Sequence, residues 1–233
     1  MRVPGFRACG VCCGIKERDP DLGLIVSAVP ATAAGVFTRS SVPGAPVVLA
    51  KRRLRSGRKR GVIVNSGISN VAMGARGLRT AEAMTEMAAR AVGCSPDEML
   101  VASTGVIGEP IPLARIRAGV ALAREALAPE GLGEAARAIM TTDTFPKLAS
   151  RRVRVGGRLV TVAGIAKGSG MIEPRMATML AFLLTDAPVA APFLRRLLRA
   201  TAEETFNRVS IDGETSTSDT VLLLANGVAG GSP

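Results

Sequence analysis

Ala166-Lys-Gly-Ser-Gly-Met-Ile-Glu-Pro-Arg-Met-Ala-Thr-Met-Leu180 places one hydroxyl, that of Thr178, after small residues and a glycine-rich approach. A hydroxyl nucleophile needs a base, and the 233 residues include no histidine. Ser-His-Asp and Cys-His devices are therefore excluded within this chain. The surviving way to activate a Thr is through its own α-amine, freed by cleavage of the preceding bond and then able to take the hydroxyl proton. Such a cleavage falls between Ala177 and Thr178.

Three other constellations carry chemistry. Ser103-Thr-Gly-Val-Ile-Gly108 follows an apolar run, and a Thr-Gly pair there can turn a hydroxyl and a backbone N–H toward one point, as donors to a tetrahedral oxyanion must. The same spacing also suits a tight strand-to-loop turn. Lys167 lies in a Gly-rich loop eleven residues before Thr178, where a cation with little cover can meet a carboxylate or remain a solvated charge. The loop lacks the G-x-x-x-x-G-K-[ST] order of a phosphate-binding loop. Asp212-Gly-Glu-Thr-Ser-Thr-Ser-Asp219 gathers acids and hydroxyls but not in the order of a calcium loop, so a turn held by side-chain to backbone hydrogen bonds is expected.

Bulk composition narrows the class. A chain of this length buries roughly 70% of its unfolded surface without staples. With 47% apolar residues but only 3% aromatic, and no Trp or Tyr, the core has to be built from Ala, Val, Leu, Ile and Met. No run approaches the roughly 18 apolar residues of a membrane span, and Arg2 and Arg7 are followed by no apolar leader. A cytoplasmic protein with no membrane partner is expected. Cys9-Gly-Val-Cys12 has metal-ligand spacing, but without His and with only Cys13 and Cys94 to add, a closed site is hard to complete. Reduced, packing cysteines are expected. The net charge is +11, and Lys51-Arg-Arg-Leu-Arg-Ser-Gly-Arg-Lys-Arg60 holds seven basic residues in ten positions. No aromatics interleave them for base stacking, so the run reads as a solvated surface and not as a nucleic-acid site.

Apolar and β-branched runs bounded by Gly, Pro and Asp predict strands at Leu22–Val29, Ala34–Phe37, Val47–Ala50, Gly61–Val64, Met99–Ala102, Val153–Val155, Leu159–Ala163 and Thr220–Ala225. Helical spacing predicts helices at Thr80–Val92, stopping at Gly93, at Pro112–Ala126, and at Pro192–Phe206. Ser95-Pro-Asp-Glu98 has the form of a capping box before the strand at Met99. The mixture lacks a regular βαβ rhythm, which predicts an α+β protein with mixed α/β layers.

Nine ordered blocks resemble one family, the arginine-biosynthesis ornithine acetyltransferases, also known as bifunctional glutamate N-acetyltransferases. They are Gly5-Phe-Arg-Ala, Pro30-Ala-Thr-Ala-Ala-Gly-Val-Phe-Thr38, Val64-Asn-Ser-Gly67, Ala102 to Gly108, Ile139-Met-Thr-Thr-Asp-Thr-Phe-Pro-Lys147, Ala166 to Ile172, Met176 to Phe182, Phe206-Asn-Arg, and Asp212 to Thr220. The resemblance implies the layered fold shared by these enzymes and the DmpA-type aminopeptidases. It implies a precursor that cuts itself between Ala177 and Thr178, giving an α part over residues 1–177 and the opening of a β part over 178–233. It further implies Thr178 as nucleophile, Thr104 and Gly105 as the oxyanion hole, and Lys167 and Thr141 as substrate contacts beside Thr178. Spacing alone does not choose among Thr141, Thr142 and Thr144.

The implied reaction moves an acetyl group from N-acetylornithine to glutamate, with no metal or organic cofactor, acetyl-CoA serving as donor in bifunctional members. The implied assembly is a heterotetramer of two α and two β chains. Family members continue well past Pro233, so an inactive fragment is a second reading. A third is the DmpA-type aminopeptidase, in which Ser is the usual nucleophile, and a basic nucleic-acid-binding protein is a fourth. The chain departs from the family at Ile68, Arg175 and Cys9, where Asn, Asn and Ala are common.

Overall fold

The bend in one long strand organises the molecule. Strand β2 (Leu22–Phe37) has 16 residues. Its first half lies antiparallel to β1 (Phe6–Val11) and β3 (Lys59–Ile68), its second half to β8 (Thr220–Ala225). The register with β3 shifts between Val26 and Ala31, an interval that contains Pro30, which has no N–H to give to a ladder. Strand β4 (Met99–Val106) pairs parallel with β3. Beyond β8 come β7 (Leu180–Thr185), β6 (Arg158–Lys167) and β5 (Lys147–Val155), giving the order β4-β3-β2-β8-β7-β6-β5 with β1 on β2. The computed structural model describes residues 1–55, 58–170 and 179–231.

Side-chain alternation shows that the bent sheet closes on itself. Ile25, Val62, Val64, Leu100 and Ala102 from one arm share a buried cluster with Ile165, Leu180, Phe182, Leu184, Leu222 and Leu224 from the other. The intervening residues Leu24, Ile63, Met99 and Val101 face outward against α2 (Gly74–Val92) and α3 (Leu113–Ala126). Ala181, Val221 and Leu223 face α5 (Ala191–Glu204). The layers therefore run helix, sheet, sheet, helix, with α4 (Leu132–Ala138) across β1 and β2 and reaching β6. Of the six Phe, only Phe6 and Phe182 are fully buried, so aliphatic packing carries the core as the composition requires. Each such fully buried side chain contributes roughly 1.5–3 kcal/mol before conformational entropy is counted.

One predicted strand is a helix. Val47–Ala50 lies in α1 (Ala45–Arg53), where Pro46 stands in the first turn and Pro46, Val47, Leu49, Ala50 and Arg53 turn inward at helical spacing. A four-residue apolar run does not distinguish strand from buried helix, and here Pro46 at the start and three cations at the negative end of the dipole favour the helix. Helix α2 ends at Gly93 with φ of 70°, as expected, but begins six residues before Thr80. The capping box at Ser95 and Glu98 forms over a short 3₁₀ turn, Pro96–Glu98. Strands β5 and β6 are longer than expected and meet at Gly156-Gly157, whose φ values of 54° and 77° both need glycine in a two-residue hairpin turn.

The basic run is tied into the fold and is not simply solvated. Arg53 is 6% exposed, donates from Nη1 to the Met99 carbonyl at 2.7 Å and lies 3.6 Å from Asp97. Lys59 is 1% exposed, and burial pulls its pKa down, against the attraction of Asp97. Arg60 donates to Ser27 O at 2.9 Å, and Lys51 lies over the Phe37 ring. Arg58 is exposed. Replacing Arg58 with Ser should therefore shift stability by less than about 0.5 kcal/mol, whereas Lys59→Ser should cost roughly 2–4 kcal/mol by emptying a filled site. Urea unfolding of the two variants measures this, and equal midpoints would contradict the structural role of Lys59.

Candidate functional site

The site is laid out by sheet register. Lys167, the last residue of β6, stands opposite Leu180, which stands beside Thr220 of β8, which in turn faces Phe37 of β2. The residues one step earlier, Met179 and Asp219, are thereby neighbours. The Met179 N–H donates to Asp219 Oδ1 at 2.8 Å, and the Thr220 N–H donates to the Met179 carbonyl at 3.1 Å. The Asp219 carbonyl accepts from the Thr38 N–H at 3.0 Å. Ala177 and Thr178, with the cut expected between them, and Arg175 lie outside the described residues. Met179 is the first described residue after them.

Lys167 continues the alternation of Ala163 and Ile165 and points between the sheets. It is 4% exposed and donates from Nζ to Thr141 Oγ1 at 3.2 Å. Burial lowers its pKa, and the nearby carboxylates of Asp143 and Asp219 pull the other way. All three threonines of that block are exposed, and Thr141 is the one whose hydroxyl accepts from Lys167. Asp143 holds the block in place. Its side chain is 1% exposed and accepts from Lys147 Nζ at 2.6 Å, from the Gly168 N–H at 2.8 Å and from the Thr141 N–H at 3.3 Å. Burial opposes its ionisation, but these donors and the Lys147 charge hold its pKa below the ordinary value. Sequence reasoning passed over Asp143 as part of the threonine-rich block.

Thr104 and Gly105 end β4 on the other arm. Thr104 shares the inward parity of Leu100 and Ala102, is 6% exposed, and its hydroxyl makes no hydrogen bond among the described residues. Gly105 has φ of 130°, and a Cβ there would lie 2.2 Å from the Gly67 carbonyl carbon. Backbone packing alone thus requires glycine at 105. Among the described residues no hydrogen bond joins Thr104 or Gly105 to Thr141, Lys167 or Asp219. The two sets are linked along one rim: Gly67 packs on the Lys16 stem, Lys16 Nζ donates to the Met140 carbonyl at 3.1 Å, and Thr141 follows. A cavity of about 450 Å³ opens at this rim, walled by Lys16, Arg137, Asp19, Glu134, Thr141 and Asp143. Cations and carboxylates on its walls suit a ligand carrying both an ammonium and a carboxylate.

Asp219, expected only as part of a hydrogen-bonded turn, has the most perturbed acid of the site. It is 1% exposed, and burial pushes its carboxyl up to about 7, against the Met179 N–H, the Ser216 hydroxyl and the Lys167 charge. Its Oδ2 is buried without a hydrogen-bond partner among the described residues. Folding raises this acid from 3.8, so the fold favours the neutral form. The resulting penalty is absent below pH 4, grows as the pH rises and is complete above about 7, where it is on the order of a few kcal/mol. Asp219→Asn keeps an acceptor for Met179 without the charge. It should raise the melting temperature by roughly 5 °C at pH 8 and hardly at pH 4. A variant less stable than the wild type at pH 8 would contradict this.

The cysteines are free. Cys9 packs in the helix-side core and its Sγ donates to the Ala123 carbonyl at 3.2 Å. Burial pushes the Cys9 thiol up to about 11 and that of Cys13 up to about 12. Neither is a ready thiolate. Ile68 packs against the apolar cluster beneath α2 and α3. The loop keeps its hydrogen bonds through Asn65, Ser69 and Asn70, which donate to the carbonyls of Ile68, Val106 and Gly77.

The sequence pattern of the ArgJ family matches residues 7–232. The chain belongs to the ArgJ family. It is 51% identical over 229 residues to the arginine biosynthesis bifunctional protein ArgJ of Symbiobacterium thermophilum, covering 97% of this chain and 57% of the relative. To the protein of the same name from Geobacter sulfurreducens it is 48% identical, covering 99% and 59%. The chain thus spans less than three fifths of the length of these curated relatives. Among solved structures, ArgJ of Bacillus halodurans superposes with a TM-score of 0.71 at 40% identity, over 75% of this chain and 92% of that one. The ornithine acetyltransferase of Mycobacterium tuberculosis, solved with ornithine, gives 0.65 at 36%, over 74% and 92%. An aminopeptidase from Ochrobactrum anthropi, described as a variant of the Ntn hydrolase fold, gives 0.55 at 16% over 96% and 72%, a likeness of fold alone. The α+β layered fold of the ornithine acetyltransferase and DmpA group is therefore the fold of this ArgJ-family chain, and among its described residues no helix is long and apolar enough to cross a membrane.

Proposed function

We propose that this ArgJ-family chain carries the acetyl-transfer centre of an ornithine acetyltransferase of arginine biosynthesis, with Thr178 as the acetylated residue. The observation that carries the reading is the pairing of Lys167 with Thr141 beside the Asp219 carboxylate that holds the Met179 N–H, in a chain without histidine. The Thr178 hydroxyl attacks the acetyl carbonyl of N-acetylornithine as its proton passes to the Thr178 α-amine. Thr104 and the Gly105 N–H receive the oxyanion, each donor worth about 3 kcal/mol of barrier. The carbon–nitrogen bond breaks, the ammonium returns its proton to the departing ornithine amine, and the acetyl group stays on Thr178. Glutamate then attacks by the same steps in reverse, so protons balance and no cofactor is needed. Acetyl-CoA would enter as a second donor to the same hydroxyl.

The cut makes residues 1–177 an α part and 178–233 the start of a β part. The sheet supports this division, because β7 and β8 lie between β2 and β6 and remain bonded to them whatever happens at Ala177. Two solved family chains are covered over 92% of their length yet account for 75% and 74% of this chain, the share of a chain ending near residue 177. Exposed Phe193, Leu197, Val153 and Val155 line a further apolar cavity of about 690 Å³, a surface suited to the association of two α and two β chains. The test is transfer of a labelled acetyl group from N-acetylornithine to glutamate, by the chain alone and fused to the C-terminal part of the Symbiobacterium relative. Release of free acetate without transfer would instead favour a hydrolase of the same fold.

A further inference from the structure

Three arginines converge on a recess that Lys167 and Thr141 do not share. Arg55 follows the C-terminus of α1, Arg58 precedes β3 and Arg195 lies in the second turn of α5, and all three line a cavity of about 510 Å³. Segments far apart in sequence bring them together, so the cluster is not the repeating basic face of one helix. Among the described residues none of the three guanidiniums has a hydrogen bond or an ion pair, and no carboxylate stands in the wall. Other polar side chains there can donate. Thr32 alternates with the inward-facing Ala31 and Ala33 and so turns its hydroxyl toward the α5 side, where it makes no hydrogen bond among the described residues. Asn226 is 7% exposed and gives one Nδ2 hydrogen to the Pro4 carbonyl at 3.0 Å, which leaves the other for a guest. A fourth guanidinium, that of Arg158, lies against Gly231 on the same wall.

Like charges gathered without a counter-charge repel one another, and a wall of donors leaves the acceptors to be supplied from outside. Guanidiniums match phosphate oxygens two at a time. Three of them exceed the charge of a single phosphate group, roughly −1.5 to −2 near pH 7, so two adjacent phosphates suit the set better than one. We propose that this cavity binds a small diphosphate, free or as the tail of a nucleotide, with Arg55, Arg58 and Arg195 on the phosphate oxygens and Thr32 donating to one of them. No aromatic side chain is among the described residues lining the recess. A base therefore has nothing to stack on, and the phosphates are what is recognised. The same lack separates the recess from a groove for single-stranded nucleic acid. The site lies on the α5 side of the sheet, whereas Lys167 continues the inward row of Ala163 and Ile165. It is thus independent of the acetyl-transfer reading.

The experiment titrates the 233-residue chain with inorganic pyrophosphate in a calorimeter at about 0.1 M salt, where attraction beyond roughly 10 Å is screened. One pyrophosphate should bind per chain, and inorganic phosphate about tenfold more weakly. Arg58→Ser and Arg195→Ser should each weaken pyrophosphate by about tenfold or more. Arg195→Lys keeps the charge but not the planar fork and should still lose several-fold. Thr32→Val leaves the net charge unchanged and should lose about tenfold, the worth of a hydrogen bond to a charged group. A chain carrying both Arg90→Ser and Arg117→Ser, which removes two exposed charges from α2 and α3, should bind within about twofold of the wild type. Melting curves without ligand check that each variant folds, and Arg195→Lys with Thr32→Val decides the matter if Arg195→Ser does not. ADP binding as tightly as pyrophosphate would identify a nucleotide tail, and ADP excluded would identify the free diphosphate; either supports the site. A wild type that takes up no pyrophosphate at millimolar concentration overturns the proposal. So does an equal loss in the α2 and α3 control, which marks diffuse attraction by net charge. A single-stranded oligonucleotide that binds more tightly than pyrophosphate and is lost in Arg58→Ser also overturns it, in favour of a nucleic-acid surface.

Discussion

Thr178→Ala should remain a single uncut chain and accept no acetyl group, even after incubation long enough to convert the wild type. The chain has no histidine to substitute as base, and both the cut and the transfer pass through the same hydroxyl. Removing a nucleophile leaves only the contribution of binding and oxyanion donors, so the loss in acetyl transfer should exceed about a thousandfold. Thr178→Ser keeps the hydroxyl without the β-branch and should cut slowly. Denaturing gels and intact mass read the result, the wild type giving a smaller product that starts at Thr178. A Thr178→Ala chain that divides at the same bond would assign the cut to another residue or to a contaminating protease.

Gly105→Ala should damage the fold itself. The substitution meets two obstacles, a φ of 130° that L-residues rarely adopt and a Cβ position 2.2 Å from the Gly67 backbone. Neither neighbour is a side chain that can swing away, so β4 has to separate from β3 locally. A cost above about 3 kcal/mol is expected, which corresponds to a fall in melting temperature of roughly 10 °C for a chain of this size. Gly108→Ala is the matched control. It has φ of 84° but nothing within 4 Å of the added methyl, so only backbone strain of about 1 kcal/mol remains. Equal effects would mean that the Gly67–Gly105 approach does not constrain the sheet.

The elements legible in sequence were those whose signal is local. Apolar and β-branched runs bounded by Gly, Pro and Asp mark β2, β3, β4 and β8, Gly93 ends α2, and Ser95 with Glu98 announces the turn before β4. The α1 segment failed because four apolar residues fit either period, and its arbiter is Pro46 in the first turn. Strand β1, FRACGV, carries an Arg and two small residues and gains its place only by pairing with β2. Helix α4 is seven residues long with an Ala-rich face, too short for a periodic signal. Lys59 looked like one cation among many, and only the tertiary fold buries it.

The site was legible as residues but not as geometry. Thr141 and Lys167 are 26 positions apart, and the loop clip made by Asp143 joins them. Asp219 lies 40 positions from Met179 and reaches it only because β7 and β8 are parallel neighbours. Sequence patterns count spacing along one chain, whereas these contacts are set by strand order.

Mass analysis of the peptide that begins at Thr178, taken after the wild-type protein is mixed with N-acetylornithine carrying a labelled acetyl group, tests the central claim most directly. The account predicts a free N-terminus at Thr178 and one labelled acetyl group on its hydroxyl, which is lost when glutamate is added and recovered as labelled N-acetylglutamate. Labelled N-acetylglutamate formed by a protein whose Ala177–Thr178 bond is intact, or whose Thr178 never carries the label, would contradict it.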